Sequence, residues 1–166
     1  MGLFVDPKQP ESTAQTALYF GPDSMVKTWQ LKLVEGRDFT PEDVLVVDPD
    51  KSQEMGKVGL VTQVLAKKLF PDSSAIGKTV YIGNGPDAIH FQIIGVVEKL
   101  QSPWAQNGER GELSTILANR YVNTYLQFAV RSEPGQRDRV MKDAEAAITK
   151  IPGVMIIRTE SMYWTS

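Results

Sequence analysis

Few residues in this sequence have the types and spacing that chemistry requires. His90 is the single histidine, and a hydrolytic triad would need a nucleophile and an orienting acid around it, which the sequence does not place there. Asp48, Asp50 and Glu54 superficially resemble a calcium loop, but this run lacks the central glycine and a glutamate at the required spacing. We therefore expect His90 to be a structural or surface residue and the acidic run to be a solvated loop.

Two glycine-containing stretches resemble fragments of phosphate-binding loops. Gly83-Asn84-Gly85-Pro86 lacks a Lys-Ser/Thr pair, and no helix is predicted after it, so it is interpreted as a turn. Gly77-Lys78-Thr79 has the letters that end a Walker sequence, but the upstream glycine is absent and a strand is predicted to follow. With no cysteine for thiolate catalysis or a cysteine zinc site, the sequence predicts a non-catalytic chain without cofactor or metal.

Length, charge and hydropathy limit the functional classes to which the protein could belong. The 166 residues, 42% of them apolar, are sufficient for one domain with a packed core. A net charge of −2 provides no basic surface for nucleic acid or for anionic lipid. No apolar run approaches the roughly 18 to 20 residues that span a bilayer, and the first residues do not have the pattern of a signal peptide.

Apolar periodicity predicts an alternation of strands and helices. The predicted strands are 15–20, 44–47, 58–61, 79–82, 91–97, 125–131 and 154–158. The predicted helices are 24–34, 63–70, with Thr62 as its N-cap, and 135–150. Two similar αβ halves with a β-rich insertion between them indicate an α+β domain.

Four segments in the first two thirds of the chain occur in a characteristic order. They are Gly36-Arg37-Asp38-Phe39, the helical run 61–71, the strand entry 76–80 and the apolar strand 91–97 around Gly95. Together they resemble the periplasmic core domain of MacB-type (FtsX-like) ABC transporter permeases. The resemblance implies a two-lobed α+β fold, in which a porter-like lobe of two αβ units is interrupted by a β-rich inserted sabre-like lobe. By position, the porter-like lobe is 1–45 and 115–166, and the sabre-like lobe is 46–114.

The resemblance also implies a function. The chain would be the periplasmic domain of an inner (cell) membrane protein, tethered through flanking transmembrane helices that this sequence does not contain. It would couple ATP hydrolysis by a cytoplasmic ATP-binding subunit to the handling of a periplasmic substrate or partner. Possible partners are a second permease and a periplasmic adaptor or cargo. Two alternatives stay open from the residues alone, namely a free periplasmic binding protein and a small periplasmic hydrolase.

Two places are candidates for contacts. Segment 101–114 is polar, contains glycine and is too long for a tight turn; long loops of this kind are commonly functional or disordered. It carries Trp104 and Arg110, which we predict as partner-contact residues, because an aromatic side chain in a loop is a common anchor. Arg37 and Asp38, by contrast, are expected to pair locally and to fix the turn into Phe39.

Overall fold

A computed structural model of the chain describes residues 1–100, 112–123, 128–156 and 159. The chain divides into two compact units, 1–128 and 129–166. The described strands are β1 (Gly2–Phe4), β2 (Ala14–Gln15), β3 (Ala17–Gly21), β4 (Leu33–Gly36), β5 (Leu45–Val47), β6 (Val58–Thr62), β7 (Thr79–Ile82), β8 (Ile89–Val97) and β9 (Ser114–Tyr121). The described helices are α1 (Met25–Thr28), α2 (Gln63–Leu69) and α3 (Arg137–Ile148). The predicted α+β class is thereby confirmed.

The first unit is built on one mixed sheet. Its strand order is β2-β1-β7-β8-β6-β9-β3, and β4 pairs with β8 and β5 with β9 outside this path. β6 runs parallel to β8 and antiparallel to β9, which in turn is parallel to β3. The parallel pair β6–β8 requires a crossover connection, and the 26 residues between them, 63–88, contain α2 and β7.

Hydrophobic residues fill both faces of this sheet. Successive side chains of a strand point to opposite faces, and Leu60 and Val61 of β6 accordingly belong to two different core clusters. Leu65 of α2 packs in the cluster of Val61, as the helical periodicity of 63–70 predicts. Met25 of α1 packs in the cluster of Leu60. The sheet therefore lies between two cores, each with a short helix.

The predicted helix 24–34 is wrong in its second half. α1 ends at Thr28, Gln30 has a positive φ of 49°, and Leu33 begins strand β4. The physical reason is a tertiary one. β7 covers one edge of β8 only as far as Gln92, and β4 pairs with β8 at residues 95–97. Main-chain hydrogen bonds to β8 thus override the helical spacing of 24–34.

The predicted strands near the C-terminus are not found in the described residues. Residues 128–131 and 154–156 are not in strands, and the other residues of the two predicted ranges, 125–127 and 157–158, lie outside the described part of the chain. α3 is within the predicted helix 135–150, and none of its residues is buried. No helix in the described ranges has the length and apolar character of a membrane span.

The division into porter-like (1–45, 115–166) and sabre-like (46–114) lobes stays a prediction. β9 lies almost entirely on the porter-like side of the predicted boundary. It pairs with β3 of the same predicted lobe and with β6 of the other. The strands on both sides of the predicted boundary thus share one hydrogen-bonded sheet.

Candidate functional site

His90 and the acidic residues Asp48 and Asp50 each make local contacts within their own part of the fold. His90 is exposed on β8 and stands opposite Tyr81 of β7, with 6.1 Å between the ring centroids. The Asp48 carboxylate accepts a hydrogen bond from the Asp50 amide at 3.1 Å and lies 2.6 Å from the Lys51 ammonium. Among the described residues, no group of three or more His, Asp or Glu side chains could hold a metal ion. The prediction that His90 is a surface residue is confirmed.

The two glycine-containing stretches have the local structures predicted for them. Gly83 and Gly85 have positive φ angles of 82° and 87° in the turn between β7 and β8. Thr79, after Gly77-Lys78, begins strand β7 rather than a helix. A phosphate loop needs the amides of a helix N-terminus directed at the anion, and neither stretch leads into a helix.

Arg37 pairs with a residue that the sequence reasoning did not single out. Its Nη1 and Nη2 atoms lie 2.6 and 3.1 Å from the two carboxylate oxygens of Asp43. The same carboxylate accepts a hydrogen bond from the Thr40 amide at 2.8 Å. Asp38 instead accepts a 2.7 Å hydrogen bond from the amide of buried Phe39. The expected local pairing therefore exists, but its carboxylate is Asp43; the signal for it was the spacing of Thr40 and Asp43, which is typical of a capping box.

The Arg37–Asp43 pair should make stability depend on pH. The hydrogen bond from Arg37 lowers the pKa of Asp43 to about 2. A carboxylate whose pKa is lowered by folding stabilises the folded state at pH values above its pKa in the unfolded chain, which is about 4. This stabilisation is lost as the pH falls through about 2. Because Arg37 is half exposed, we expect Asp43→Asn to cost only about 1 kcal/mol at pH 7.

Urea denaturation from pH 7 to pH 2 measures this effect. The difference in unfolding free energy between the native chain and Asp43→Asn should shrink as the pH falls from about 4 towards 2. Asp72→Asn, at an exposed position of the α2–β7 connection, is the matched control and should change little. A difference that stays constant over this range would contradict the assignment.

The two predicted partner-contact residues, Trp104 and Arg110, lie outside the described residues. The chain on either side of segment 101–111 is described, and buried hydroxyl groups hold it. Ser114 Oγ donates to the Leu100 carbonyl at 3.3 Å, and this hydrogen bond joins the chain before the segment to the chain after it. Thr62 Oγ1 donates to the Glu112 carbonyl at 2.7 Å and accepts from the Ser114 amide at 3.2 Å.

A second pair of hydroxyls extends this arrangement to β3. Thr16 Oγ1 lies 3.0 Å from Thr115 Oγ1 and 3.1 Å from the Leu113 carbonyl. We call Thr16, Thr62, Ser114 and Thr115 the hydroxyl clamp; each is at most 6% exposed. Buried hydroxyl groups need hydrogen-bond partners. The hydroxyl groups of the clamp bond to one another and to residues that flank segment 101–111. The clamp therefore ties Leu100 and Glu112, which flank segment 101–111, to the strand ends that meet there: the start of β3, the end of β6 and the start of β9.

The clamp corrects the prediction for Thr62, and the clamp itself was not predicted from the sequence. Thr62 occupies the N-cap position of α2, as expected, but its side chain makes no capping hydrogen bond and serves the clamp instead. The sequence signal for the clamp was the presence of hydroxyl residues at the ends of apolar strands. Which strand ends lie together depends on the sheet order, which periodicity does not determine.

Comparison with known proteins gives one family. The model of the MacB-like periplasmic core domain matches residues 5–151 of this chain. The "Uncharacterized ABC transporter permease YknZ" of Bacillus subtilis (strain 168) is 33% identical over 100 residues, which cover 60% of this chain and 20% of that protein. The matched part of this chain thus spans about a fifth of the length of that relative.

Two solved structures are similar at low sequence identity. The extracellular domain of the noncanonic ABC-type transporter YknZ from Gram-positive bacteria has a TM-score of 0.47 and 19% identity, covering 82% of this chain and 65% of that one. The periplasmic region of MacB from Actinobacillus actinomycetemcomitans has a TM-score of 0.49 and 20% identity, covering 89% and 61%. The identification rests on the family match, which spans most of the chain. The chain belongs to the family of MacB-like periplasmic core domains.

Proposed function

We propose that this domain is non-catalytic and couples ATP hydrolysis on the cytoplasmic side to the handling of a substrate or partner outside the membrane. The ATP would be hydrolysed by an ATP-binding subunit, and the motion would arrive through transmembrane helices of the whole permease. Nucleotide would then bias the population of two arrangements of the permease. The domain would move largely as a rigid body.

The hydroxyl clamp is the observation that carries this proposal. A contact made by segment 101–111 can be coupled to motion only if the segment is fixed to a rigid element. The clamp ties the residues that flank the segment, Leu100 and Glu112, to the ends of β3, β6 and β9 through hydrogen bonds of its hydroxyl groups. β6 and β9 are paired with one another inside a sheet that has a hydrophobic core on each face. Such packed interiors transmit displacement with little compression.

Trp104 and Arg110 are the proposed contacts with the periplasmic partner. An aromatic ring and a guanidinium are the two side-chain types most enriched among residues that dominate binding energy. The partner would be an adaptor protein, a cargo or a second permease. We further propose that segment 101–111 belongs to the sabre-like lobe, 46–114, and that the porter-like lobe, 1–45 and 115–166, is the membrane-proximal part.

The proposal predicts that this domain neither binds nor hydrolyses ATP. Isothermal titration calorimetry of the domain with Mg-ATP should give no heat of binding at micromolar concentrations, and no phosphate should be released on prolonged incubation. Titration of the ATP-binding subunit under identical conditions is the positive control. Saturable binding by the domain, or phosphate release that one Asp→Asn substitution abolishes, would contradict the non-catalytic role.

A further inference from the structure

One edge of β8 extends beyond its neighbour in the sheet. β6 pairs with β8 from Val58–Gln92 onwards, and the Gln92 amide donates to the Lys57 carbonyl at 2.9 Å. β8 begins earlier, at Ile89. Its first three residues are paired with β7 on the opposite edge. Among the strands that the structure describes, therefore, none lies alongside residues 89–91 on the β6 side.

The hydrogen-bonding alternation of an antiparallel pair determines which groups face this open edge. The amide of Ile93 donates to the Lys78 carbonyl at 2.9 Å on the β7 side. Along one strand of such a pair, successive residues direct their N–H and C=O groups to opposite edges. Ile89 and Phe91 therefore bond towards β7, whereas the N–H and C=O of His90 are directed to the edge that β6 leaves open.

The chain before β6 departs from β8 for a local reason. The Gly56 amide donates a 2.8 Å hydrogen bond to Oδ1 of buried Asn119. A Cβ at Gly56 would lie 2.7 Å from the Ala118 carbonyl oxygen, so the backbone approaches β9 as closely as only glycine permits. Residues 53–57 are thereby drawn towards β9 and away from the first residues of β8.

This departure leaves a cleft of about 460 Å³ between segments 53–57 and 86–90. Glu54 and Lys57 line one wall, and Asp87 and His90 line the other. The two carboxylates outnumber the single ammonium, so a cation is favoured there. The cleft thus combines an unpaired strand edge with a net acidic lining.

We propose that this cleft binds an extended segment of a partner protein, which adds as a strand to β8 beside His90 and carries a Lys or Arg side chain between Glu54 and Asp87. Addition of a strand to an exposed sheet edge is a common way to bind a peptide, in which main-chain hydrogen bonds provide affinity and flanking side chains provide specificity. None of the residues that line this cleft belongs to segment 101–111, so the proposal does not depend on Trp104 or Arg110.

The test uses the 166-residue chain and a phage-displayed library of random linear peptides of about twelve residues, a length sufficient for one added strand. We expect selected peptides to carry a basic residue and, on binding, to protect the His90 amide from hydrogen exchange. His90→Pro removes the free N–H but breaks no hydrogen bond to β7, and proline is tolerated at such edges. His90→Ala, which keeps the N–H, is the matched control.

His90→Pro should weaken peptide binding about tenfold or more, whereas His90→Ala should change it less than about threefold. If His90→Pro lowers the melting temperature, the double variant Glu54→Lys/Asp87→Lys replaces it, since both positions are exposed, and a similar weakening is expected. Equal affinities for His90→Pro and His90→Ala, no selected peptides, or protection confined to other strands would overturn the proposal. A concentration-dependent dimer in light scattering that protects His90 would assign the edge to a second copy instead and would also overturn it.

Discussion

Replacement of Gly36 by alanine is expected to destabilise this domain strongly. Gly36 has a φ of 76°, in the left-handed region that side chains disfavour. A Cβ there would also lie against the Ile94 carbonyl oxygen and 2.9 Å from Gly95 Cα. Both are backbone atoms of β8, to which β4 is paired, so relief requires the strands to separate. We expect a loss of about 3 kcal/mol or more.

Gly77 provides the matched control for this prediction. Its φ is 78°, nearly the same, but no atom lies within 4 Å of the position that a Cβ would take. Gly77→Ala should therefore carry only the conformational penalty, about 1 kcal/mol. Urea denaturation of the two variants and the native chain measures both values. Equal losses for Gly36→Ala and Gly77→Ala would contradict the close approach of β4 to β8.

Close to the pairing of β4 with β8 lies an irregularity of β8 that the sequence does not reveal. The register of β6 against β8 passes from Gly59↔Ile93 to Leu60↔Gly95, so Ile94 is an extra residue in β8. Such a bulge bends a strand and ends regular pairing. The freed Ile94 carbonyl accepts a hydrogen bond from the Arg37 amide at 2.9 Å. The bulge thus anchors the Gly36-Arg37 corner, which begins the segment leading to buried Phe39.

Local patterns were sufficient to predict the elements between 58 and 97. β6, α2, β7 and β8 lie within one or two residues of their predicted bounds, because each has a clear apolar pattern, and Pro71 and Gly83 mark the ends of α2 and β7. Patterns failed where pairing over a long distance decides the conformation. Residues 33 and 34 fit the end of the predicted helix 24–34 but belong to β4, since this strand pairs with residues 95–97 of β8.

The candidate site was predictable only in part. The composition of segment 101–114 indicated a loop, and Trp104 and Arg110 within it stay predictions. The hydroxyl clamp was not predictable, because Thr16, Thr62 and Ser114 are distant in sequence and meet only through the order of β3, β9 and β6. The pairing of Asp43 with Arg37 was missed because Arg37 lies outside the turn that contains Asp43.

The second large effect is expected on partner capture rather than on stability. Replacement of 102–111 by a glycine-serine linker of equal length leaves Glu112 and the clamp intact, and loops of equal length have similar closure entropy, so the unfolding free energy should change by less than about 1 kcal/mol. The intact permease should still assemble with its ATP-binding subunit. It should no longer copurify with its adaptor or cargo, because Trp104 and Arg110 are lost. Trp104→Ala and Arg110→Ala should each weaken capture about tenfold or more.

Site-specific photocrosslinking in the intact permease tests the central claim most directly. A photoreactive amino acid is placed at position 104 or 110, and at Lys68, an exposed residue of α2, as the control. We expect crosslinks from 104 and 110, but not from 68, to an extracytoplasmic partner or a second permease. Their yield should change when ATP hydrolysis by the ATP-binding subunit is abolished by mutation. Absence of crosslinks from 104 and 110, or a yield that does not respond to the loss of ATP hydrolysis, would contradict the coupling role of this domain.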